Sequence, residues 1–171
     1  RNLAFGMAGA TLMREKVAPE ADAFTFATLA ALDGISKVTG TIENATQFLD
    51  ALLTAWSKMD EDEVPQENRI LYATATLLNS VMSLDTTKSR EILAKFAVKK
   101  AVPQARFYTA IDLLDGKSSG EEAGHYKKSD SGADINFMIV HKPAIIKFDK
   151  HTASDIILAS NNPDADADIV K

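Results

Sequence analysis

The chain has 171 residues, 46% apolar and 25% charged, with a net charge of −5 and no cysteine. That is enough chain for one good core in one or two compact units. The missing thiols exclude disulfides and thiolate metal sites, as suits assembly in a reducing cytoplasm. No apolar run approaches the roughly 20 residues of a membrane-spanning helix, and the acidic balance argues against a dedicated nucleic-acid binder.

Asn2 to Leu32 reads as two helical runs meeting at Pro19, a long kinked spine along which the rest would pack. Leu3, Met7, Leu12, Met13 and Val17 recur at helical spacing in the first run. Phe24, Ala27, Ala31 and Leu32 do so in the second, with Phe26 and Leu29 beside them. Apolar residues three and four apart share a helix face. Pro19 disfavours helical geometry at Ala18 and fits the first position of the second helix. Glu20 and Asp22 then sit where the helix dipole favours negative charge. The alanines and glycines of these runs predict close approach of other backbone. Gly34 is placed to end the second helix.

After a polar link over 35–43, Asn44 is a candidate N-cap, with Gln47 completing a capping-box pattern. Phe48, Leu49, Leu52, Leu53, Trp56 and Met59 then mark the cleanest amphipathic helix in the chain. It runs into the acidic block Asp60 to Glu63, and Pro65 closes the unit. Arg69 to Thr74 (RILYAT) is apolar on both faces, which predicts a central strand covered on both sides. Leu77, Leu78, Val81 and Met82 predict a short helix after it, and the succession indicates layers of helix and sheet.

Thr86 to Arg90 reads as a connection and Glu91 to Val102 as one or two strands, interrupted by Pro103. Asp115 to Asp134, rich in Gly, Ser and charge, reads as a mobile loop. Ile135 to Val140 (INFMIV) reads as a buried strand. Ala144 to Phe148 and Asp155 to Leu158 read as two more, before an exposed tail with the turn-forming composition NNPDADAD. The fold class expected is α+β.

The residues offer no catalytic constellation, and no catalytic, cofactor or metal residue is assigned. His125, His141 and His151 lie in no HExxH pattern. The Asp60 to Glu63 run lacks the alternating ligands and central glycine of a calcium loop. There is no GxSxG elbow and no phosphate-cradling GxxxxGK or GxGxxG. Gly6 and Gly9 fit close helix packing better than ligand contact. Lys95, Lys99 and Lys100, with Lys127 and Lys128, neighbour Phe96, Phe107 and Tyr126. They could form a single-strand stacking platform, although lysines snorkelling on strand edges are the simpler reading. Asn44-Ala45-Thr46 matches a glycosylation acceptor, which matters only in a secreted protein.

Three stretches resemble a known family: MREKVAPEADAFTFATLA (Met13 to Ala30); DEDEVPQENRILYATATLLNSV (Asp60 to Val81), followed by AVPQARFYTAIDLL (Ala101 to Leu114); and DINFMIVHKPAIIKFDKH (Asp134 to His151), trailed by NNPDADAD. Their order is similar to that in major capsid proteins of tailed bacteriophages and prophages of Gram-positive bacteria. The resemblance implies the Hong-Kong-97-like capsid fold, with a long kinked spine helix and a mixed helix/sheet axial domain. Residues 1–43 would then be the spine region, 44–160 mostly the axial domain and 161–171 an exposed tail.

It also implies a structural, non-enzymatic subunit of the virion, assembled in the bacterial host cytoplasm. Pentamers and hexamers of the chain would surround packaged DNA without binding it specifically, and no membrane or cofactor would be involved. The arm and hairpin that usually precede the MREKVAPE-like stretch have no counterpart here. A trimmed core is therefore expected, one that by itself could stay monomeric. An encapsulin-like compartment shell is a second structural reading. An α/β enzyme with RILYAT as its central strand, and Thr74 and Thr76 at its catalytic end, is a third.

Overall fold

The computed structural model describes residues 2–148, 156–157, 161 and 169–170. In chain order come helix α1 (Asn2–Leu12), a π-helical turn (Met13–Val17), and helices α2 (Ala18–Ala31) and α3 (Ala45–Glu61). Strand β1 (Arg69–Thr74), helices α4 (Ala75–Leu84) and α5 (Thr87–Ala94) and strand β2 (Val98–Val102) follow. Strands β3 (Ile111–Leu114), β4 (His125–Lys128), β5 (Phe137–His141), β6 (Ile156–Ile157) and β7 (Ile169–Val170) complete the chain. Helix and sheet are thus mixed, as the α+β reading requires. The chain forms two compact units. One is Ala23–Asp112 with Lys127–Ile146; the other is Arg1–Asp22, Leu113–Tyr126 and Lys147–Lys171.

In the first unit β1 is the middle strand of a β2-β1-β5 sheet, parallel to β2 and antiparallel to β5. Side chains alternate across a strand, and β1 uses both faces. Leu71 and Ala73, opposite Ile139 and Phe137, join Phe48, Leu49, Leu52 and Trp56 of α3, Leu78 and Val81 of α4, Ile92 of α5 and Phe96. Tyr72, opposite Met138, packs on the other side with Phe26 of α2, Val102, Phe107 and Ile135. Phe26 meets Tyr72 and Phe107 edge-on, with ring centroids 5.3 and 4.8 Å apart. Burying each large apolar side chain contributes roughly 1.5–3 kcal/mol. The expectation of a central strand covered on both faces is met.

The helices begin where side chains can accept from free N–H groups. Asn44 Oδ1 accepts from Gln47 N at 2.9 Å. The Gln47 side chain accepts not from the cap residue but from Glu43 N, at 2.8 Å. Thr74 caps α4, and Thr86 caps α5 in a reciprocal box with Ser89. Asp85, in left-handed geometry with φ 44°, ends α4.

In the second unit the helix does not break at Pro19. Ala18 stays helical and its N–H reaches back to Met13 O, five residues away. The wide turn is the physical alternative to a break, because a proline ring clashes with the carbonyl four residues earlier. β3 and β4 form a two-stranded ribbon, and β6 pairs antiparallel with β7.

Several expectations are corrected. Along α2 it is Pro19, Ala23, Phe26 and Ala27 that are buried, while Phe24 and Leu32 are exposed. A Cβ on Gly6 or Gly9 would meet nothing within 4 Å among the described residues, so no close backbone neighbour is seen there among them. Gly34 does take a positive φ of 80°, but α2 has already ended at Ala31. The Thr86 to Arg90 connection is the start of α5, and only Val98–Val102 of the 91–102 stretch is strand. Strand β4 lies inside the expected 115–134 loop. Ala144 to Phe148 is no strand: Lys142–Ala144 is a 3-10 turn with Pro143 in it, and Ile146 and Phe148 are exposed. In the 155–158 stretch the strand is Ile156–Ile157, and of the expected tail Ile169–Val170 pairs with it. The tail residues 162–168, and His151, lie outside the described residues.

Candidate functional site

The lysine and aromatic cluster is assembled for packing. Phe96 and Phe107 are buried in opposite faces of the sheet. Lys99 Nζ donates to the carbonyls of Leu93 and Phe96 at 3.1 and 3.5 Å, compensating the end of α5. Lys95 lies 5.4 Å from the Trp56 ring centroid and Lys100 5.8 Å from that of Tyr72. Lys128 pairs with Asp134 at 2.7 Å and lies over Tyr108. The buried rings leave no stacking platform at Phe96 or Phe107.

Two carboxylates at the acidic end of α3, Asp60 and Asp62, are paired locally. Lys58 pairs with Asp62, whose side-chain hydrogen bond, and then charge, raises the lysine above its ordinary value. Arg69, wholly buried, holds Asp60 at 2.7 Å. Its Nε donates to Pro65 O at 3.0 Å, its Nη1 to Trp56 O at 3.4 Å, and its Nη2 to Val64 O. The guanidinium also stacks 4.2 Å from the Trp56 ring centroid. Desolvation pushes the Asp60 carboxyl up, but hydrogen bonds from Arg69 and Gln66 and the Arg69 charge outweigh it and hold it below 3.8. The buried Trp56 indole N–H, which has no well-formed hydrogen bond among the described residues, lowers the carboxyl a little further. This hub was not singled out in the sequence. Its one signal is an arginine following an acidic helix end and a proline.

Of the histidines, His141 lies opposite Arg69 in the sheet, and His125 Nδ1 lies 3.3 Å from Glu20 Oε2. Thr74 is a cap, its Oγ1 accepting from Leu77 N at 3.5 Å, and Thr76 is exposed. A shallow hollow of about 360 Å³ is lined by Met82, Ser89, Arg90, Leu93, Ala94 and Lys99, with no acid–base pair in its wall. Among the described residues no three His, Asp or Glu side chains converge for a metal ion, and no helix is long and apolar enough to cross a membrane.

The surface carries more unusual features than any cleft. Val38 is 90% exposed, Phe148 86%, Ile146 76%, Met82 65% and Met7 64%. No family model, curated protein or solved structure matches this sequence.

Proposed function

We propose that the chain is a structural subunit of a phage or prophage capsid shell, built on the Hong-Kong-97-like fold. It would assemble into pentamers and hexamers around packaged DNA and reside in the virion after assembly in the bacterial host cytoplasm. Two things support this reading: the three-part resemblance, and a mixed helix and sheet core with several large apolar side chains exposed among the described residues. The first carries it. A shell subunit works through its outer surfaces, where many weak contacts add up. Apolar side chains exposed to this degree are what such contacts would cover.

The test is electron microscopy of the protein expressed from its complete reading frame. Closed shells are expected. DNA inside them supports the phage reading, whereas a packaged protein cargo transfers it to an encapsulin-like compartment. Dispersed subunits at every concentration overturn both.

A further inference from the structure

The tripeptide Leu-Asp-Gly occurs twice, as Leu32-Asp33-Gly34 and as Leu114-Asp115-Gly116. Aspartate before glycine is the pair most open to rearrangement of the backbone, because glycine has no side chain to screen its nitrogen and the freest choice of φ. Both glycines take positive φ, 80° at Gly34 and 69° at Gly116, and both aspartates are exposed. Neither local sequence nor exposure separates the two sites. Hydrogen bonding does. The Asp115 carboxylate accepts from Lys117 N, Ser118 N and Ser118 Oγ at 2.7–2.8 Å. Its own N–H donates to Glu121 Oε2 at 3.1 Å. The turn also closes on itself there, since a Cβ on Gly116 would stand 3.7 Å from Gly124 Cα. Asp33 lies just past the end of α2, in a stretch exposed from 31 to 41. Among the described residues no hydrogen bond or ion pair reaches its carboxylate or the Gly34 N–H.

We infer that Asp33-Gly34 is a site of spontaneous isoaspartate formation in the folded protein, and that Asp115-Gly116 is protected from the same reaction. The Gly34 nitrogen attacks Asp33 Cγ. The N–Cγ bond forms as the Cγ–OH bond breaks, and the hydroxyl leaves with the amide proton as water. The product is a cyclic imide. Water then adds at either of its carbonyls. Opening at Cγ restores aspartate, and opening at the main-chain carbonyl leaves the chain running through Cγ. No oxidant, metal or enzyme is needed, and the mass is unchanged overall. At Asp115 the same attack would have to pull the carboxylate away from three donors. Those donors, the Ser118 and Lys117 N–H groups foremost, also hold this carboxyl below its usual range. They keep it as the anion, which is the poorer electrophile.

The test holds the purified protein for weeks near neutral pH in heavy-oxygen water, which labels each ring opening with one heavy oxygen. The tryptic peptides 17–37 and 107–117 carry the two sites, and fragmentation places the label. Reaction at Asp115 must first give up hydrogen bonds to a charged acceptor, so Asp33 is expected to gain label and isoaspartate at least about tenfold faster. In urea the two sites, each preceded by leucine, are expected to react at similar rates. Equal labelling in the folded protein overturns the inference, as does faster labelling at Asp115 or none at Asp33. A preference for Asp33 that persists unchanged in urea also overturns it, because the difference would then belong to flanking residues and not to the fold.

Discussion

A guanidinium taken out of water has to find its partners inside the protein. Arg69 finds them in three backbone carbonyls, one carboxylate and one indole face. Arginine's fixed fork suits this, because one planar group serves several acceptors. Arg69→Ala leaves those carbonyls unpaired around a cavity and is expected to cost about 3–5 kcal/mol, read from the urea midpoint at constant slope. Asp60 supplies a pH dependence of known sign. Its carboxyl is held below 3.8 in the folded chain. The stabilisation is therefore complete above that value and is lost as pH falls through the folded one. Acid unfolding of Asp60→Asn should accordingly approach that of wild type once the pH has fallen through the lowered folded-state value of this carboxyl, the two differing most near neutrality.

At the scale of elements, caps and close approaches decide what forms. Thr86→Ala removes one half of the α5 capping box and is expected to cost about 1 kcal/mol, with faster hydrogen exchange confined to Thr87–Ala94. Gly132 is fixed by space rather than by φ: a Cβ there would stand 2.5 Å from Ala110 O. Gly132→Ala should therefore cost about 1–3 kcal/mol or shift the Ser129–Ala110 pairing, visible in the Ser129 amide, which now bonds Ala110 O at 3.2 Å. Periodicity made α3 and β1 legible, since their apolar residues repeat at helical and strand spacing with a capping signal or a proline at the boundary. It hid α5, whose first turn Thr-Lys-Ser-Arg is polar and whose buried Ser89 works as a cap. It also hid β4, where His-Tyr-Lys-Lys between glycines lacks the apolar residues of a strand. In Ile145, Ile146 and Phe148 it gave strand-like composition to a stretch that no described strand pairs.

For the whole molecule, the proposed shell function would let the exposed apolar residues separate folding from association. Val38→Asp and Ile146→Asp should leave subunit stability within about 0.5 kcal/mol, since both side chains are already in solvent. They should reduce or abolish shell formation, scored by sedimentation and microscopy of the same preparations. The fold class was legible because local patterns add up to it. The Arg69 hub and the Glu20–His125 contact were not, because each joins residues with no local signature. The lysine and aromatic cluster misled for a related reason: nearness in sequence says nothing of which sheet face a ring enters.

The two borders of β1 also set an order of events during synthesis. One border is made with β2, which leaves the ribosome soon after β1; the other waits for β5, whose register pairs Arg69 with His141. Until that point every nascent chain presents a row of unpaired N–H and C=O groups along the middle of its future sheet, and late pairings of this kind fold slowly. Ribosome-arrested chains of graded length should become protease-resistant only after the last strand of this sheet has emerged. Shorter products would be those that chaperones hold.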